Sequence, residues 1–354
     1  MPLPKKEYYY SIDAAKFICA LLVVAVHCMP FGYSEAFLIP NQIVRNYIAR
    51  IAVPFFFVSS GYFYFKSNYC YDYKKDKERK FLSRFLFLYI FWCLVYFPMH
   101  IPGILNDPKG AAFGALKYLR DFVFIGGHIH LWYLSATVFA ILVISALLEK
   151  NLSIERIFRY SLVLYFIGLL GQGYSFLLEP LKRYSIIKGF IDFYENVFVT
   201  TRNGLFEAFT FVSMGLILAD HRDHLPKRTS LICLILSMAG FAGELLLVKH
   251  FSGRIENDYY ISLLPAIFFF YRYISKIKLE PSDKYKTLRK SSTLIYFTHP
   301  WVKNVLGSVL KRVNSTLPNT CLLFILTVIC CILLSMAVIK LSEIKGFKWL
   351  KKIY

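Results

Sequence analysis

Acidic side chains are scarce in this chain. Asp and Glu number 22 in 354 residues, against 42 Lys and Arg, and all charged residues make up 18%. A soluble domain carries about 25% charged residues, so a water-exposed globule is excluded. Metal-type C-x-x-C spacing is absent. The eight cysteines (19, 28, 70, 93, 233, 321, 330 and 331) fall mostly inside apolar stretches. They read as small buried hydrophobes rather than disulfides or metal ligands. The chain has no Walker loop, no dinucleotide glycine fingerprint and no nucleophile elbow, so nothing points to a P-loop NTPase, a Rossmann enzyme or an α/β-hydrolase. No internal repeat, low-complexity linker or second-domain boundary breaks it, and residues 1–354 read as a single integral-membrane domain. The first apolar segment lacks a small-residue cleavage site, which makes it an uncleaved signal anchor.

What is abundant is apolar sequence: 57% of residues are hydrophobic and the mean hydropathy is +0.49. The reading is an all-α, polytopic membrane helical bundle. About ten spans are expected, near 11–30, 46–66, 82–102, 130–149, 157–178, 203–219, 229–249, 258–275, 291–310 and 320–341. The segment 103–127, broken by Pro and Gly, reads as an external loop with a short interfacial helix. With the N-terminus inside, the inner side holds 27 of the Lys and Arg and the outer loops hold 13. That asymmetry predicts cytoplasmic termini. It also explains the net charge of +20 without nucleic acid, because the excess sits in short loops that meet anionic lipid.

The first span, SIDAAKFICALLVVAVHCMP, carries Asp13, Lys16 and His27. At about 100° per residue, Lys16 and His27 differ by only about 20° after three turns, and Asp13 falls within about 60° of both. One helix face thus presents an acid, a base and an imidazole over roughly 21 Å. A charge at mid-bilayer costs about 2.5–3.5 kcal/mol, which an anchoring helix has no reason to bear. Asp13 reads as a partner that neutralises Lys16. Arg50, His128, His130, Arg202 and His299 are expected at the middle or outer half of the bundle, with Glu207 the one carboxylate near them. Plainer roles exist for each: Arg50 and Arg202 as snorkelling side chains, His130 as a helix cap, Trp132 and Tyr133 as an aromatic belt. Pro300 would free a carbonyl near Tyr296 and kink its helix. No carboxylate or cysteine cluster completes a metal site around His128 and His130.

Four segments in order, the Lys16-to-His27 helix, VPFFFVSSGYFYF, HLWYL and SSTLIYFTHP, resemble the acyltransferase 3 family of polytopic membrane proteins. Many members have Arg where this chain has Lys16. TRNGLFEAF and HLWYL look most like the membrane module of VanT-type serine/alanine racemases, which continue into a soluble racemase domain; no such domain is expected in residues 1–354.

The resemblance implies transfer of an acyl group, usually acetyl, from cytoplasmic acyl-CoA to a hydroxyl of a cell-surface glycan or similar acceptor. Acyl-CoA is then a cosubstrate, and no tightly bound cofactor or metal is expected. A bacterial plasma-membrane location, contact with membrane lipid and O-acetylation in the cell envelope follow from it, and a homodimer is compatible with it. On this reading His27 is the general base and His299 a second base or a hydrogen-bond partner. Lys16, Arg79 and Arg84 hold the donor, and Arg50, His130, Arg202 and Glu207 shape the acceptor site. The racemase branch gives the alternative, a module for L-serine uptake or binding, with Arg50 or Arg202 on the carboxylate and Glu207 on the ammonium.

Overall fold

The computed structural model describes residues 9–31, 38–68, 75–220, 225–253, 255, 259–313 and 320–354. Cys70, Lys5, Lys6, Lys74, Arg222 and the start of the expected span at 258 lie outside the described residues. Among the described residues twelve helices follow one another: α1 Tyr10–Cys28, α2 Ile39–Ser67, α3 Lys75–Leu105, α4 Ala111–Phe124, α5 Trp132–Glu149, α6 Ile154–Leu169, α7 Ser185–Phe198, α8 Gly204–Ala219, α9 Lys227–Ser252, α10 Leu263–Ser275, α11 Asp283–Val313 and α12 Thr320–Leu341. There are no strands among the described residues. Six helices, α1, α2, α3, α5, α9 and α12, are long and apolar enough to cross a membrane, and α8 and α10 are shorter apolar helices. The chain is an all-helical, multi-pass membrane protein.

The expected span at 157–178 is α-helical only to Leu169. Beyond it, Gly171 packs so closely on Thr201 that a Cβ would lie 2.6 Å from its methyl, and the chain continues as short 3₁₀ turns at Ser175–Leu177 and Glu179–Arg183. The expected helix inside 103–127 is α4, which begins after Gly110 at φ 94°.

α1 sits at the centre, packed against α11 most extensively and also against α2, α10 and α12. The tightest crossing is that of α2 with α8. A Cβ on Gly215 would lie 2.6 Å from the Tyr62 nitrogen, and one on Gly61 would overlap the Val212 carbonyl. The two backbones touch because neither position has a side chain, the small-residue route to close packing in membranes. At the other crossing, α9 on α10, buried Glu244 caps a helix start. It accepts the Ile261 and Ser262 amides at 2.7 and 2.6 Å and the Tyr174 hydroxyl at 2.5 Å, placing a carboxylate at the positive end of the α10 dipole. The last residues return to the bundle: Arg84 donates to the Tyr354 carbonyl at 3.0 Å and the Trp92 indole to that of Ile353 at 3.2 Å.

Among the described residues, Ile43–Ile48 inside α2 and Gly204–Ala208 at the head of α8 are π-helical, and Ala49–Ile51 in α2 is a 3₁₀ turn. The π turns matter most here. Such turns are rare and collect at functional sites.

Candidate functional site

Two cavities lie along α1, one toward each end. The larger, about 600 Å³, is lined by exposed Arg84, Arg289 and Lys351 and half-buried Lys290. Asp13 pairs with Arg289 at 3.6 Å. Deeper in, Lys16 places its ammonium 4.6 Å over the Phe63 ring. The walls beyond are aromatic, including Phe56, Tyr133 and Phe297, and the cavity ends at Tyr296. Ser60 shares a 2.7 Å hydrogen bond with Tyr133 there.

The smaller cavity, about 180 Å³, has the same Tyr296 in its lining. His27 comes from the far end of α1. Arg45 and Arg50 come from the π stretch of α2 and the turn after it. Arg202 comes from the turn just before α8, Glu207 from the π-helical head of α8, and His130 from the loop before α5. Both π segments therefore serve this cavity, each winding wider to deliver charged side chains inward. Arg50 is held by Asn46, which accepts from its guanidinium at 3.2 Å and itself donates to the Ile255 carbonyl. The Arg202 guanidinium stacks 5.1 Å from the Trp132 ring centroid. Glu207 is 2% exposed.

Glycines set the loop that carries His130. Gly126 and Gly127 have φ of 95° and 65°. A Cβ on Gly126 would collide with the Trp132 backbone, so only glycine allows this return. Behind the cavity stands His299, fully buried on α11. Its Nδ1 lies 2.8 Å from the Tyr296 carbonyl and 3.1 Å from that of Ile295. A carbonyl only accepts, so Nδ1 carries the proton and Nε2 the lone pair. The Tyr296 carbonyl is available because Pro300, four residues on, has no amide hydrogen to occupy it. The Tyr296 hydroxyl donates to the His130 carbonyl.

Imidazoles continue outward from here. Ring centroids are 5.1 Å apart for His27 and His299, 5.4 Å for His299 and His130, 5.3 Å for His130 and His128, and 5.1 Å for His128 and His100. The last pair is joined at 2.9 Å, Nδ1 of His128 to Nε2 of His100. Burial holds the His128 imidazole down at about 4, with the His100 ring adding to the effect. It is a neutral donor–acceptor at ordinary pH.

Of the residues singled out from sequence, Lys16 and Arg84 line the basic cavity, and His27, Arg50, His130, Arg202 and Glu207 converge on the smaller one. His299 supports it from behind. Arg79 is exposed and stands apart from both. His130 caps nothing: the residue before α5 is Leu131 and makes no side-chain cap. Trp132, expected in an aromatic belt, is buried under Arg202. Arg45, Tyr296 and Arg289 were missed. Arg289 and Tyr296 are seven residues apart, within about 20° on one helix face, and that stripe was the available signal. No group of three or more His, Cys, Asp or Glu arranged to hold a metal occurs among the described residues. The described cysteines, four of them buried, are all free.

A family model described as an acyltransferase domain matches residues 9–336. An amino-acid racemase of Enterococcus faecalis is 27% identical over 341 residues, 94% of this chain and 46% of the relative. A second amino-acid racemase of that organism is 30% identical over 75% of this chain and 35% of its own length. A serine/alanine racemase of Enterococcus gallinarum is 25% identical over 90% of this chain and 45% of its own. The chain thus spans less than half the length of these curated relatives. No solved structure matches.

Proposed function

Because the chain belongs to the acyltransferase 3 family, we propose that it moves an acyl group from acyl-CoA in the basic cavity to a hydroxyl held in the smaller one. One observation carries the reading: a cavity lined with cations and one holding an imidazole share a single residue, Tyr296. The lining cations suit the phosphates of CoA, and the aromatic throat suits a pantetheine arm. Lys16 sits where that arm enters. The thioester reaches His27 past Tyr296. Neutral His27 takes the hydroxyl proton as the oxygen attacks the acyl carbon. Such a step is worth roughly 10²–10⁴ in rate. The arginines beside it offer charge for the oxyanion that forms. This reading places ten spans across a bacterial plasma membrane, with both termini and the basic cavity cytoplasmic and the acceptor, a cell-surface glycan or similar hydroxyl, outside.

A second reading is favoured by the names of the relatives and by the arginines and Glu207 in a cavity of only about 180 Å³. There the smaller cavity binds L-serine, carboxylate to arginine and ammonium to Glu207, as an uptake or binding module.

Ligand-dependent thermal stabilisation of the detergent-solubilised chain separates the two. A ligand at a hundredfold excess over its Kd adds about 2.7 kcal/mol to the folded state. Stabilisation by acetyl-CoA or CoA that weakens in Lys16→Ala supports transfer. Stabilisation by L-serine alone overturns it in favour of the second reading.

A further inference from the structure

We propose that His299, His130, His128 and His100 form a proton path from His27 to the far end of α3. The inference rests on the transfer reading, since it gives the proton taken by His27 somewhere to go. Four successive ring separations of 5.1–5.4 Å bring five imidazoles from α1, α11, the loop before α5 and α3 into one file. The file is wired at one end by the 2.9 Å His128–His100 contact. Its central members are buried with ring nitrogens unused. Nε2 of His299 and both nitrogens of His130 make no hydrogen bond of ordinary geometry among the described residues, though the His130 ring lies near the Phe297 backbone. Leaving a buried polar atom unpaired costs about 1–3 kcal/mol. Three in adjacent rings mark groups kept ready to exchange a proton.

The roles follow from the partners. Nδ1–H of His299 is committed to the Tyr296 carbonyl, so Nε2 both receives the proton from His27 and passes it on. His130, with two open nitrogens, accepts on one and releases from the other. His128 accepts on Nε2 and donates through Nδ1 to Nε2 of His100, which is half-buried and releases to water from Nδ1. Tyr96 holds the file in place, stacked 4.2 Å from His128 and edge-on to His130 at 4.9 Å. The balance closes. The acceptor O–H and the acyl C–S bonds break, the O–acyl bond forms, the hydroxyl proton leaves along the file, and the CoA thiolate withdraws past Tyr296 into the basic cavity and takes a proton from water there.

The test is NMR of the full chain, labelled with ¹⁵N-histidine in lipid nanodiscs, following exchange of imidazole protons with water. In the parent chain, His27 and His299 exchange fast. In His130→Phe and in His100→Phe the exchange at fully buried His299 is lost, while His250→Phe, on the exposed end of α9, leaves it unchanged. His100→Phe keeps the test valid if the buried variant does not fold. Acyl transfer, once an acceptor is in hand, falls by on the order of 10²-fold in the same variants, the lower limit of what a positioned acid–base group supplies. Unchanged exchange in folded His130→Phe and His100→Phe overturns the path and reduces the rings to packing. A parent chain that transfers nothing sinks the transfer reading, yet the exchange measurement still decides the path.

Discussion

Replacing Gly61 by Ala tests whether the α2–α8 contact sets the width of the smaller cavity. The added methyl meets the Val212 carbonyl, with the Val212 Cα and carbonyl carbon both at 3.1 Å; the reciprocal Gly215→Ala meets the Tyr62 nitrogen at 2.6 Å and the Gly61 carbonyl carbon at 3.0 Å. Ordinary contact begins near 3.4 Å, so the helices must part by most of an ångström. Backbone cannot yield as a flexible side chain can, and overpacking of this kind costs about 1–3 kcal/mol. The two glycines face each other, so one displacement relieves both. The double variant should cost clearly less than the sum of the singles, beyond the 0.3–0.5 kcal/mol or so within which independent sites add. Arg50 on α2 and Glu207 at the head of α8 move with their helices, and Arg202, two residues before α8, is carried along. A displacement of about 1 Å is enough to lower a rate 10²-fold. The assay is unfolding of the purified chain in mixed micelles with rising SDS, followed by tryptophan fluorescence. Wild-type stability in Gly61→Ala, or strict additivity in the pair, refutes the argument.

Pro300→Ala restores an amide hydrogen to compete for the Tyr296 carbonyl, which frees His299 to adopt the other tautomer. A mid-helix proline disfavours the helix by about 3 kcal/mol relative to alanine, so this variant should be at least as stable as the parent while its transfer rate falls; lost stability with retained rate would contradict the assignment. Glu244→Ala removes the acceptor of three hydrogen bonds at the start of α10 and should cost at least about 1–3 kcal/mol, one buried group left unsatisfied, again read by SDS unfolding. Arg79→Ala should leave acetyl-CoA stabilisation intact where Arg84→Ala and Lys16→Ala lower it; equal loss in all three would place the donor elsewhere.

Much of the site was legible because helix geometry alone fixes it. Lys16 and His27 were placed on one face by counting turns, and that face does open into both cavities. Arg50, His130, Arg202 and Glu207 were grouped because each stood at the same end of a span. What stayed hidden depends on winding or on tertiary contact. Arg45 enters the cavity because the helix there widens to a π turn, which no apolar pattern announces. Trp132 reads as an interfacial aromatic until a guanidinium is found resting on it. Arg79 stands apart from the basic cavity for a simple reason of phase: it is five residues, or about 140°, from Arg84, so when one faces the cavity the other faces away. The carbonyl freed by Pro300 was foreseen; its use, fixing the proton on His299, appeared only with the side chains in place.

The meeting of the two cavities at Tyr296 has an electrical side. A membrane potential drops across whatever is not water. Where two cavities reach toward each other inside a bundle, the apolar layer between them narrows to the wall they share, here the Tyr296 side chain with its aromatic neighbours. Moving one charge across the full potential is worth about 2.3 kcal/mol per 100 mV. In this chain most of that work would be done within a few ångströms of His27. A charge formed there would feel a membrane potential far more strongly than the same charge midway along a plain helix.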